Sequence, residues 1–98
     1  METIFQGEIA LDGSTKIVAT SSAIIVTSII INNISDNYSL ILYRCSGSNP
    51  KNIIPIYRFD LDAGDTIRDS EEYILNIGDS LKLVTNIPNT TYYIKTTT

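Results

Sequence analysis

Short apolar runs alternate with turn residues about every ten positions along this chain, and no long helical periodicity interrupts them. That rhythm predicts a sandwich or small barrel of strands. A first strand is expected over residues 3–9, closed by Leu11-Asp12-Gly13-Ser14, where Asp-Gly is a strong turn signal. A short second strand follows over 16–20. The longest and most apolar strand falls over 23–34, with Ile24, Ile25, Val26, Ile29, Ile30 and Ile31 in close succession. A strand apolar on both faces belongs in the middle of a fold or against a neighbouring subunit. The polar cluster 32–37 turns the chain into a strand over 38–45, where Leu40, Leu42 and Arg44 share one face and Ser39, Ile41 and Tyr43 the other. Ser46-Gly47-Ser48-Asn49-Pro50-Lys51-Asn52 is the most loop-like stretch, a place for an exposed or partner-contacting loop. The next strand covers 53–61, with Pro55 marking it as an edge strand or the site of a bulge.

One octet is written twice. Leu61-Asp62-Ala63-Gly64-Asp65-Thr66-Ile67-Arg68 and Leu75-Asn76-Ile77-Gly78-Asp79-Ser80-Leu81-Lys82 share apolar, two variable residues, Gly, Asp, hydroxyl, apolar, basic. Gly takes the positive φ such a turn requires, and Asp bonds back to its own backbone. Both octets read as strand–turn–strand corners. Strands over 80–85 and 91–97, joined by the turn Asn86-Ile87-Pro88-Asn89, complete the set. The expectation is a single domain, residues 1–98, folded as an all-β antiparallel sandwich of about eight strands, jelly-roll-like.

Composition agrees with that pattern. With 98 residues, two domains would each be too small to bury a useful core. Hydrophobic residues make up 43%, so one compact core forms without metals or disulfides. The net charge is −4, and the seven basic residues are scattered rather than gathered into the footprint that a nucleic-acid backbone requires. Nucleic acid is therefore not expected as a partner. The single Cys45 has no internal disulfide partner and, with no His in the chain to activate it, reads as a buried structural thiol. Met1-Glu2-Thr3 lacks the basic start of a secretory signal. Residues 17–35 carry no charge, but Thr20-Ser21-Ser22, Thr27-Ser28 and Asn32-Asn33 break the stretch, so no membrane span is expected.

Candidate chemistry is sparse. Without His, acid–base catalysis would need paired carboxylates, and Asp60, Asp62, Asp65, Asp69, Glu71 and Glu72 form the only dense acidic group. Asp60 and Asp62 alternate around Leu61 and read as a solvated rim. Counted from Asp60, acids fall at positions one, three and twelve of a calcium loop, but the required Gly at six is Asp65, and helical flanks are missing. Triads, structural zinc and phosphate loops all lack their residues. The six tyrosines, Tyr38, Tyr43, Tyr57, Tyr73, Tyr92 and Tyr93, suit core and cross-strand packing, with sugar stacking or the lining of an interface as the functional alternatives. No catalytic, cofactor-binding or metal-binding residue is nominated, and no cofactor is expected.

The order of motifs carries a resemblance. Ala23-Ile24-Ile25-Val26-Thr27-Ser28-Ile29-Ile30-Ile31-Asn32-Asn33-Ile34-Ser35, then Tyr38-Ser39-Leu40-Ile41-Leu42-Tyr43, then the two Gly-Asp octets, resembles a family of small virion proteins of tailed bacteriophages. In that family an apolar strand of the type A-I-V-x-S-I-x-I-x-N-x-S precedes a strand of x-L-x-L-Y type and the turns L-x-A-G-[DE]-T and L-N-x-G-D-S-[IL]. The likeness runs from about Gly7 to Ile94; the high Asn, Ile and Thr content and the short 46–52 region depart from it. The resemblance implies an eight-stranded sandwich assembled into rings, trimers or lattices of the virion, with no catalytic residues. The expected function is that of a non-enzymatic structural protein, a capsid decoration or auxiliary protein packed on the capsid lattice. Its partners would be other virion proteins (the major capsid protein, or tail and fibre proteins) and further copies of itself. The alternatives are a tail, baseplate or head-fibre subunit, or a carbohydrate-binding module used in host attachment.

Overall fold

The computed structural model describes residues 1–45 and 53–98, and the side chains of all of these except 53–58. The loop expected over 46–52 lies outside the described residues. Nine strands form among the described residues: β1 (Glu2–Glu8), β2 (Lys16–Val18), β3 (Ile24–Asn32), β4 (Tyr38–Cys45), β5 (Ile53–Leu61), β6 (Thr66–Asp69), β7 (Tyr73–Leu75), β8 (Ser80–Thr85) and β9 (Thr91–Thr97). They pair antiparallel in two sheets, β1-β9-β3-β6 with β7 also on β3, and β2-β8-β4-β5. With β6 and β7 counted as one interrupted strand, this is the order of an eight-stranded jelly roll. The all-β sandwich expected from the sequence is the fold observed. No helix among the described residues is long and apolar enough to cross a membrane.

The strand count exceeds eight because Asp69 ends β6. Its carboxylate accepts the Glu71 N–H at 2.8 Å and the Tyr73 hydroxyl at 2.6 Å, turning the chain before it rejoins β3 as β7. Local side-chain bonding of this kind competes with the ladder.

β3 runs through the interior of its sheet, between β9 and β6/β7. Its double-sided apolar pattern has a geometric origin. The register against β9 slips between Val26 and Ser28, making Thr27 a bulge whose hydroxyl donates to the Lys95 carbonyl at 3.1 Å. The extra residue keeps Val26, Ile29 and Ile31 all in the core, each fully buried, although unbroken alternation would split them. Ile25 and Ile30 are left on the outer face, half-buried.

Opposite them, Leu40 and Leu42 of β4 and Leu81 and Leu83 of β8 fill the inner face of the second sheet; Ile94 of β9 lies beside Ile29 in the first, and Ile9, Ile17, Ile67 and Leu75 complete the core. Burying each such side chain stabilises the fold by about 2 kcal/mol. Pro55 lies where the sequence placed it. β5 is an edge strand, and its register against β4 shifts beside Pro55, between Leu42 and Tyr43.

Candidate interaction surfaces

The repeated octets build the two ends of the sandwich. In each, the Asp N–H bonds to the carbonyl three residues back (Asp65 to Asp62, 3.1 Å; Asp79 to Asn76, 2.9 Å). The Asp carboxylate accepts the N–H of that same first residue, at 3.0 Å in Asp62 and 3.3 Å in Asn76. Gly64 and Gly78 occupy the third position with φ of 86° and 90°, the requirement of a type II turn. Both corners carry the chain from one sheet to the other. Each glycine N–H then donates to a different sheet-crossing loop, Gly64 to the Asn33 carbonyl and Gly78 to the Ala19 carbonyl, both at 2.7 Å.

At the first end, Asn33 is buried and fully bonded. Its amide donates to the Pro88 carbonyl and the Thr90 hydroxyl (3.0 and 2.9 Å), and its side-chain oxygen accepts the N–H groups of Ser35 and Asp36. Tyr38, also buried, donates to the Asp65 carbonyl at 2.6 Å. Burial raises the Tyr38 pKa, and the nearby Asp65 charge adds to the effect. At the other end, the Arg44 guanidinium lies 3.6 Å from the Asp79 carboxylate.

The acidic residues singled out in the sequence are thereby accounted for one by one. Asp60 accepts the Ser39 hydroxyl at 2.9 Å, Asp65 closes its corner and Asp69 terminates β6. Asp62, Glu71 and Glu72 are exposed. The stretch from Asp60 to Glu71 runs from the end of β5 through the corner and β6 to the turn after it, without the helices of a calcium loop. Among the described residues no three of His, Cys, Asp or Glu gather to hold a metal ion. Cys45 is buried at the end of β4. Tyr38 belongs to the core, and Tyr73 and Tyr92 pack against it. Tyr43 and Tyr93 are half-buried on the outer faces, and the Tyr57 side chain is outside the described residues.

Both outer faces mix apolar and charged residues. On the β1-β9-β3 face, register sets Glu2, Thr97, Ile25 and Ile74 in one row and Gln6, Tyr93, Ile30 and Arg68 in another. Between these rows stand Ile4, Lys95 and Ser28, with Lys95 3.6 Å from Glu2. Ile4 is 44% exposed and Ile74 55%. A shallow groove of about 410 Å³ opens along Gln6, Ile30, Asn32 and Tyr93.

The opposite face places Lys16, Lys82 and Tyr43 in one row and Val84 beside Ile41 in the next. Leu11-Asp12-Gly13 roofs part of it, leaving a groove of about 490 Å³. Hydrogen bonds from Ser14 hold the Asp12 carboxyl below the ordinary carboxylate range.

Nothing in the sequence marks Ile4 or Ile74 as surface residues, whereas Tyr93 is one of the six tyrosines with interface lining among their expected roles. For Ile25 and Ile30 the available signal was the surplus of isoleucine in β3, more than one core face can take. No protein-family model, curated protein or solved structure matches the chain.

Proposed function

We propose that this chain is a non-enzymatic structural protein of a tailed-phage particle, a decoration or auxiliary protein packed on the capsid lattice. The observation that carries the reading is the outer face of β1, β9, β3 and β7. There Ile4, Ile25, Ile30, Ile74 and Tyr93 stand out from a sheet whose inner face already fills the core. Apolar residues gathered on one face suit docking against another protein. The placement of the acidic groups adds support, because Asp60, Asp65, Asp69 and Asp79 are engaged in holding corners and strand ends. The jelly-roll order is an architecture that capsid proteins use, and lectins use it too, so topology alone does not choose between them.

The test is quantitative mass spectrometry of purified particles. The expected result is a copy number comparable with that of the major capsid protein or its capsomers. A few copies per particle would instead assign the chain to the tail, baseplate or head fibre. Absence from the particle would overturn the structural reading and favour a carbohydrate-binding module.

A further inference from the structure

Among the described residues the sandwich has four sheet edges, and three of them are blunted. β2 is three residues long, β5 carries Pro55 and a register shift, and the β6/β7 edge is interrupted between Asp69 and Tyr73. Short, broken or proline-bearing edges discourage strand addition. β1 has none of these devices. It runs seven residues without a break, carries neither Pro nor Lys, bears its charges, Glu2 and Glu8, only at its two ends, and among the described residues pairs with β9 alone. Every one of its residues is exposed except Phe5, which is half-buried.

The hydrogen bonds show which backbone groups face outward. Thr98 donates to the Met1 carbonyl at 3.0 Å and Ile9 donates to the Thr90 carbonyl at 2.8 Å. In an antiparallel ladder the bonded pairs recur at every second residue. Thr3, Phe5 and Gly7 therefore exchange bonds with Thr96, Ile94 and Tyr92. Glu2, Ile4, Gln6 and Glu8 turn their N–H and C=O groups to the free edge.

We propose that this edge pairs with the same edge of a second copy, antiparallel about a two-fold axis at Ile4, joining two five-stranded sheets into one. Symmetry and charge select the register. A two-fold axis normal to the sheet requires outward residues to meet outward residues, which leaves three principal alignments. Centring on Phe5 sets Glu2 against Glu8 of the mate twice, and like charges directly opposed are destabilising. Centring on Gln6 sets Ile4 against Glu8. Centring on Ile4 sets Ile4 against Ile4 and each Glu2 against a Gln6, whose amide can donate to the carboxylate. In that alignment alone an apolar centre is flanked by complementary polar pairs. It also continues the outer-face apolar residues, Ile4, Tyr93 and Ile30, across the seam. The same patch serves both copies, as closed two-fold symmetry requires.

Sedimentation of the full chain tests this together with two single substitutions. Ile4→Pro removes an outward N–H and no bond to β9, so the sheet persists while the edge is spoiled. The wild-type chain should sediment at twice the chain mass and Ile4→Pro at the chain mass, with the circular dichroism spectrum unchanged. Ile4→Cys should form a disulfide-linked dimer on mild oxidation, since opposed bonded residues lie within disulfide reach, whereas Gln6→Cys should not. A monomeric wild type, a dimer that survives Ile4→Pro, or cross-linking through Gln6→Cys instead of Ile4→Cys would each overturn the proposal. If Ile4→Pro fails to fold, the cysteine pair still decides. All these readouts are independent of whether the chain resides in a phage particle.

Discussion

Two buried polar side chains, Asn33 and Tyr38, hold one end of the sandwich, and both act through backbone groups distant in sequence. A buried amide is tolerated only when its donors and acceptor are used. Asn33 meets that condition by linking its own loop to Pro88 and Thr90, while its carbonyl receives Gly64. Tyr38 gives a measurable consequence. Because burial raises its pKa above the ordinary 10.0, the folded state holds the phenolic proton where the unfolded chain releases it. The corresponding stability is fully present below pH 10.0 and is lost as pH rises through the folded value. Tyr38→Phe, which deletes the bond to the Asp65 carbonyl, should cost about 1 kcal/mol at pH 7. The gap to wild type should narrow above pH 10.0, where only the wild type carries this titration. Denaturant titrations from pH 7 to 11 check this; a gap independent of pH would remove Tyr38 from the alkaline response.

The element that recurs is the Gly-Asp corner. Two stretches fourteen residues apart, at Gly64 and Gly78, adopt the same turn, close it with the same carboxylate bond and anchor it to a neighbouring crossing loop through the glycine N–H. A Cβ added at Gly64 meets no atom within 4 Å, so the cost of a side chain there is conformational, set by the φ of 86°. Gly64→Ala should therefore destabilise by about 1–2 kcal/mol, and Gly64→Asn by less, because Asn tolerates the left-handed region. Thermal unfolding of the two variants distinguishes this from steric exclusion, which would penalise the larger Asn more. β3 supplies the other informative element. Its Thr27 bulge allows one strand to send Val26, Ile29 and Ile31 inward while presenting Ile25 and Ile30 outward.

For the whole molecule, the proposed function rests on the outer face of β1, β9, β3 and β7. Ile30 and Ile74 lie outside the core, so Ile30→Lys combined with Ile74→Lys should leave stability within about 1 kcal/mol of wild type. The same double variant should lose most of its incorporation into particles, since it introduces two charges where the proposed lattice contact is apolar. Chemical denaturation and particle mass spectrometry read the two effects separately. Normal incorporation of a folded double variant would exclude this face as the docking surface.

Local pattern determined much of the fold. Period-two alternation and turn chemistry act within a few residues, so β4, β5, β8 and β9 occupy the spans read from the sequence, and both octets are the corners expected. Pro55 marked an edge and a bulge for the same reason, since a missing N–H is a local fact. The break between β6 and β7 was less legible, because it depends on Asp69 capturing the Tyr73 hydroxyl rather than continuing the ladder. Tertiary structure alone decided which strands became neighbours and how isoleucines were divided between core and surface. It also set the role of Asn33, whose partners at Gly64, Pro88 and Thr90 arrive from separate crossings of the sandwich. Pairing and burial depend on contacts between residues far apart in the chain, and one-dimensional periodicity carries no record of which distant strand will cover a given face.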